Sequence, residues 1–152
     1  MFNRREFGTA SLTGMALAAL PAIAMAQGDR KAPGSEHHES LRACAAACSD
    51  CQRECDTCET HCAQLLMEGN KEHLATLFTC RDCAMICAAA ARVVAGHGPF
   101  STLICEGCVT ACADCAKMCE KYPNDKHMQV CAAACRTCEK ACREMLQHAS
   151  RK

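Results

Sequence analysis

The chain has no tryptophan, one tyrosine and four phenylalanines in 152 residues. It therefore offers little for a core of large rings, and no row of aromatic platforms on which bases could stack. An excess of charge of either sign is also lacking, since 17 Lys and Arg balance 17 Asp and Glu. Nothing in that balance argues for nucleic acid or an acidic membrane as a partner. Long apolar runs are absent: Met15 to Ile23 is too short and too interrupted to span a bilayer. No CxxCH haem motif occurs. No acid–base pair stands out around which a catalytic cavity could form, so an enzyme is not expected.

Residues 1–26, MFNRREFGTASLTGMALAALPAIAMA, read as an export signal of the twin-arginine type. Arg4-Arg5 precede Glu6-Phe7, and Ala24-Met25-Ala26 supply a small-residue cleavage site. Thr13 and Gly14 dilute the apolar run, which favours this route over ordinary secretion; Asn3, Gly8 and Thr9 depart from the usual pattern. The expectation is an exported, periplasmic protein. Residues 27–40 are polar, contain Pro33 and Gly34, and read as a flexible linker. His37-His38 within it read as solvated, with a weak surface metal contact as the alternative. Residues 41–149 are left for one domain.

What is abundant is cysteine. All 18 lie between Cys44 and Cys142. Cys44, Cys48, Cys51, Cys55, Cys58 and Cys62 form a first cluster; Cys80, Cys83 and Cys87 a second. Cys105, Cys108, Cys112, Cys115 and Cys119 form a third; Cys131, Cys135, Cys138 and Cys142 a fourth. Gaps of 3 and 4 alternate inside every cluster, which is the helical period and places each cluster on one stripe of a helix. The breaks agree: Gly69 can stop the first helix, Pro99 suits the start of the third, and Asn124 or Asp125 can cap the fourth. Short loops make successive helices antiparallel neighbours. The predicted fold is all-α, an up-down-up-down four-helix bundle with a cysteine-lined core.

Counting outward from the loops predicts flat layers across the bundle. Cys58, Cys80, Cys115 and Cys131 form one; Cys55, Cys83, Cys112 and Cys135 the next; Cys51, Cys87, Cys108 and Cys138 a third. Below them Cys48, Cys105 and Cys142 face Ala90 or Ala91, and Cys44 meets Val94 and Met145. Above them Cys62 and Cys119 meet Leu77 and Met128.

Such thiols cannot be paired along one helix. Neighbours at i,i+3 or i,i+4 have Cβ atoms about 5–6 Å apart, whereas a disulfide wants roughly 3.5–4.5 Å. A few bridges between helices would staple a bundle; a continuous column of thiols exceeds that need. Cysteine as a mere small apolar residue is disfavoured too, since Ala or Val would pack without the oxidation hazard. Thiolates select soft ions: Cu(I), Zn(II) or iron–sulfur clusters. CxxC pairs at zinc and iron–sulfur sites sit on turns, but here each continues into CxxxC on a helix.

Charge then decides. Zn(II) on four thiolates leaves two negative charges, and stacked layers would repeat that burden every helical turn, about 5.4 Å. Arg53, Arg81, Lys117 and Arg136 lie off the cysteine stripe and cannot neutralise it, so each buried ion would cost several kcal/mol. Cu(I) at about one ion per thiolate is neutral and accepts two or three sulfurs, so multiple Cu(I) ions are the expected cargo. A zinc- or cadmium-sequestering protein and a disulfide-rich redox protein are the alternatives, though no lone activated CxxC supports the latter.

The ends of the bundle differ. Leu41, Val94, Phe100 and Leu103 are expected to plug the end near the second-to-third helix turn, with His97 and His148 as surface residues there. At the other end lie His61, Met67, His73, Met118, His127 and Met128. Soft neutral ligands could pass Cu(I) inward; His73 and Met128 are favoured because their helical phase continues the inward stripe, and His61 is a further candidate ligand.

These residues resemble the cysteine-rich four-helix-bundle copper storage proteins of bacteria. The likeness runs from Leu41 to about Leu146 and rests on the CxxxCxxC ladders, Thr60-His61-Cys62 followed by Glu72-His73-Leu74, Gly98-Pro99-Phe100, and CRTCEKAC at Cys135–Cys142. It implies storage of many Cu(I) ions along the core, uptake at a His/Met end, and a homo-oligomer, commonly a tetramer of bundles. A copper-requiring enzyme or a chaperone would be the recipient. With only three cysteines, the second helix implies weaker binding near its start than in richer members.

Overall fold

In the computed structural model, the structure describes residues 35–150. Among these the regular elements are four α-helices and one short 3-10 turn. The helices are α1 (Ser35–Met67), α2 (Leu74–Ala95), α3 (Ser101–Cys119) and α4 (Lys126–Ala149), with the turn at Lys71–His73 preceding α2. Each helix packs on its neighbour in sequence, and α4 closes back on α1. The diagonal partners do not approach through their backbones, so the centre of the square is filled by side chains alone.

Four stripes supply that filling. Leu41, Cys44, Cys48, Cys51, Cys55, Cys58 and Cys62 face inward from α1. Cys80, Cys83, Cys87, Ala90 and Val94 do so from α2, and Ser101 with the five cysteines of the third cluster from α3. Met128, the four cysteines of the last cluster and Met145 complete the core from α4. The all-α bundle with a cysteine-lined core is as expected. The turn and α2 together, Lys71–Ala95, are long and apolar enough to cross a bilayer, but the cysteine face of α2 is buried in the bundle.

Helix ends follow from local chemistry. Gly69 adopts φ +99°. The Asn70 amide donates to the Leu65 carbonyl and the Gly69 amide to that of Leu66, both at 3.0 Å. This is a Schellman stop, in which a left-handed residue returns the chain's last amides to the helix. At the start of α4, Asp125 Oδ1 accepts from the amides of His127 (2.9 Å) and Met128 (3.2 Å), as an N-cap should. Its other oxygen lies 2.7 Å from His61 Nε2 on α1, so one carboxylate caps α4 and ties it to α1. Burial opposes ionisation of Asp125, but the His61 contact and the two amides hold its pKa below the usual value. Asp125→Ala should therefore cost about 1–2 kcal/mol, read as a lower urea midpoint with an unchanged slope. Loss within a few tenths would show that the cap and the tie are both dispensable.

Three expectations are corrected. α1 starts at Ser35, so residues 35–40 of the expected linker are helical; no proline follows Gly34 to interrupt the helix, and Glu36 favours its positive end. Residues 27–34, with the signal expected at 1–26, lie outside the described residues. Phe100 and Leu103 do not plug the core: each is 66% exposed, because the inward phase of α3 runs through Ser101 and Cys105. Leu41, Val94 and Met145 close that end instead. On α2, Thr76 rather than Leu77 continues the stripe and is fully buried, since a gap of 4 before Cys80 falls on residue 76.

Candidate metal centre

All 18 cysteines are free and buried. Their sulfurs form a zigzag column rather than flat layers. Across the diagonal, the parallel helices α1 and α3 pair Cys44 with Cys105 at 3.6 Å and Cys48 with Cys108 at 3.9 Å. Cys51 then pairs with Cys112 at 3.8 Å and Cys55 with Cys115 at 3.9 Å. Between α1 and α4 the sulfurs alternate: Cys48 reaches both Cys142 (3.7 Å) and Cys138 (3.5 Å), and Cys55 both Cys135 (3.6 Å) and Cys131 (3.7 Å). On the opposite seam Cys87 bridges Cys112 (3.5 Å) and Cys108 (3.6 Å), while Cys80 bridges Cys115 (3.7 Å) and Cys119 (3.8 Å).

The expected layers are thus offset by one helical step on α1. Cys44, not Cys48 alone, sits with Cys105 and Cys142. Cys48 takes the place beside Cys108 and Cys138 that had been expected for Cys51. The interleaving within the column is geometric. Each Cα–Cβ bond leans toward its own helix N-terminus, so thiols on antiparallel neighbours lean oppositely and interleave. Ala90 is the alanine that faces the core beside this run, fully buried where Ala91 is not.

Quartets of sulfurs all within 4.8 Å of one another follow from the zigzag. Cys48, Cys108, Cys138 and Cys142 form one; Cys55, Cys115, Cys131 and Cys135 another; Cys58, Cys80, Cys119 and Cys131 a third. Cys51 and Cys83 belong both to a quartet with Cys87 and Cys112 and to one with Cys55 and Cys135. A metal–sulfur bond of roughly 2.3 Å puts two sulfurs about 4.0 Å apart in a trigonal site and about 4.6 Å apart in a linear one. The observed contacts of 3.5–3.9 Å need a spread of about 0.1–0.5 Å for the trigonal site and about 0.7–1.1 Å for the linear one. A disulfide needs 2.05 Å, which these thiols would reach only by closing about 1.5 Å.

The core holds no counter-charge among the described residues: its buried polar side chains are His73, Thr76 and Ser101. The basic residues are occupied outside. Arg53 pairs with Asp50 and Glu54, Arg81 with Asp82, Lys117 with Asp114, and Arg136 with Glu120 and Glu139. The thiols must therefore settle their protons among themselves. Cys55 is pushed up by its contacts with Cys115, Cys131 and Cys135 and then by burial. Cys62 is pushed up by Cys58 and by burial. Cys51 is drawn down to about 7, chiefly by Cys112 and Cys135, and Cys115 to about 7, chiefly by Cys119. Cys44, Cys83, Cys108, Cys131 and Cys138 are drawn down further still by their sulfur neighbours.

At the end opposite the plug, Met128 is fully buried and its sulfur is 3.4 Å from that of Cys58. His61 stacks on His127 with ring centres 4.4 Å apart. His73 is 7% exposed and stacks on Tyr122 at 4.3 Å, beside a cavity of about 620 Å³ that both line. Met67 and Met118 do not join the group: Met67 is 82% exposed, and the Met118 sulfur accepts from Lys121 Nζ at 3.1 Å. Sequence reading missed Asp125 and Tyr122 as supports of these histidines. Asp125 was legible as a cap, but nothing signalled its second contact across 64 residues.

A helical bundle whose interior is a column of buried free thiols defines a metal-sequestering class of protein. The family model described as copper storage protein matches residues 35–147, and the chain belongs to that family. It is 30% identical to a cytosolic copper storage protein from Streptomyces lividans, solved with five coppers, covering 75% of this chain and 98% of that one at a TM-score of 0.69. Against the Cu(I)-bound copper storage protein BsCsp3 it is 38% identical, covering 70% and 98%, with a TM-score of 0.64. The uncharacterized cysteine-rich protein YhjQ of Bacillus subtilis is 40% identical over 104 residues, 68% of this chain and 93% of that one.

The resemblance is borne out, and the expected periplasmic address is corrected. The Streptomyces relative is described as cytosolic.

Proposed function

We propose that the chain stores and buffers Cu(I), binding many ions through the cysteine thiolates of its core. The carrying observation is the unbroken run of buried thiols from Cys44 to Cys62, interleaved with those of the other three helices. Its ligands are the 18 cysteines, with His61, His73 and Met128 as the relay at the open end. The work is ligand exchange, in which each ion displaces protons and is handed from sulfur to sulfur along the zigzag. Soft relatives of this cargo test the assignment. Zn(II) fits the quartets by distance, but a core without counter-charge disfavours it. Anaerobic Cu(I) titration of the reduced chain against a chelator should show tight uptake near one ion per thiol. Uptake of only one or two ions would overturn the storage reading.

Met128→Leu should keep stability within about 1.5 kcal/mol, because the volume is conserved. It should slow Cu(I) uptake several-fold in stopped-flow mixing with a Cu(I)–chelator complex, since the thioether above Cys58 is lost. An unchanged rate would remove Met128 from the path. The outer face of α2 exposes Leu74, Phe78 and Met85, which supports a homo-oligomer such as the implied tetramer. Stored copper would pass to a copper-requiring enzyme or chaperone.

A further inference from the structure

At the plugged end of the bundle, remote from the His61–His73 end, lies a second cavity of about 360 Å³ lined by His37, His38 and His97 above Met145. We propose that these three histidines form a binding site for one divalent first-row transition ion, separate from the thiol column. The rings of His38 and His97 are 4.8 Å apart, centre to centre, at 50°. Two imidazoles on one ion, with metal–nitrogen bonds of roughly 2.0–2.1 Å, place ring centres about 4.5–5 Å apart. His37 precedes His38 on α1 and lines the same cavity, its ring centre 6.4 Å from that of His38, so its side chain must turn to join the set. Imidazole suits copper, zinc and nickel in their divalent states, and affinity rises from nickel to copper.

The backbone at His97 points the same way. α2 ends as α1 does: the Gly98 amide donates to Val93 (3.1 Å) and the His97 amide to Val94 (3.0 Å). In α1 the left-handed position of this motif is Gly69, whereas in α2 it is His97, at φ 52°. A side chain there is held at a conformational cost that glycine, present on both sides at Gly96 and Gly98, would avoid. Strain kept at one residue, with its imidazole set against that of His38, is what a ligand position requires.

The test uses untagged full chain already loaded with Cu(I), so that thiolates are occupied, and titrates it anaerobically with Ni(II). Wild type should bind one Ni(II) per chain saturably, with broadened histidine proton resonances. His97→Gly and His38→Ala should each weaken binding at least tenfold while leaving Cu(I) capacity unchanged. His97→Gly should also melt no lower than wild type, because glycine relieves the left-handed residue; a merely structural histidine would show a loss. His127→Ala, at the far end, should bind Ni(II) as wild type does. No saturable Ni(II) uptake by wild type, or equal uptake by His97→Gly and His38→Ala, would overturn the proposal.

Discussion

Replacing Cys55 and Cys58 together with serine should lower the Cu(I) capacity of the reduced chain by at least both lost ligands' share, while circular dichroism still reports a helical bundle. Cys55 has as many sulfur contacts as any thiol in the column: it lies 3.9 Å from Cys51 and Cys115, 3.7 Å from Cys131 and 3.6 Å from Cys135. It is shared by two quartets, and Cys58 completes a third with Cys80, Cys119 and Cys131. Removing both therefore cuts the column in its middle. Ions on either side would lose bridging sulfurs, so the loss should exceed two ions, and late-binding ions should also become easier for a chelator to extract. Each buried serine hydroxyl can turn to its own i−4 carbonyl, so the bundle should lose about 1–3 kcal/mol per site rather than unfold. Capacity equal to wild type, measured by chelator competition on the same preparation, would refute the core-ladder assignment.

The stripes on which this rests were readable in the sequence, and for a plain reason. Gaps of 3 and 4 that alternate without fault from Cys44 to Cys62 admit a single helical face. The stop at Gly69 and the cap at Asp125 were likewise local chemistry. What sequence could not carry was the relation between helices. Counting from loop centres treats each connection as symmetrical, but the first connection holds a 3-10 turn, Lys71–His73, that advances α2 without reversing the chain. Together with the opposed lean of thiols on antiparallel helices, this shifts α1 by one step and turns layers into a zigzag. The same limit hid the His97–His38 contact, made by residues that read separately as linker and surface. Phe100 and Leu103 misled because apolar character was taken for burial, although helical phase had already placed both outside the stripe.

Copper should also decide whether the bundle is robust. The core is made of small groups: Met128, Met145 and Val94 head its fully buried side chains, and the cysteines fill the rest. An apo chain with such a core draws modest stabilisation from apolar burial, within a total that is usually only about 5–15 kcal/mol. An ion that binds the native state alone adds about 2.7 kcal/mol at a hundredfold excess over its Kd. Several such ions match the stability of the whole fold, so even with partial binding to unfolded thiols the loaded chain should melt at least about 20 °C above the apo chain.

The gap between loaded and apo melting temperatures should widen as pH rises, and the sign follows from where the protons sit. Cys55, Cys112 and Cys142 are pushed up by contacts with neighbouring thiols and by burial. Their contribution to the apo fold is full below the ordinary thiol value of 9.0 and is lost as pH climbs above it, where the unfolded chain sheds protons that the folded core retains. Cys51 and Cys115, drawn down to about 7, and Cys44, Cys83, Cys108, Cys131 and Cys138, drawn down further, act oppositely: their share is present above 9.0 and is lost as pH falls through the lowered values. Copper replaces these protons. Loading therefore weakens by about tenfold for each unit fall in pH and each proton released, and the loaded fold escapes the alkaline loss. Scanning calorimetry of both forms from pH 6 to 9.5 under anaerobic conditions measures the difference. A gap that narrows with rising pH would mean that copper does not displace protons from these thiols, and the sulfur column could not be its seat.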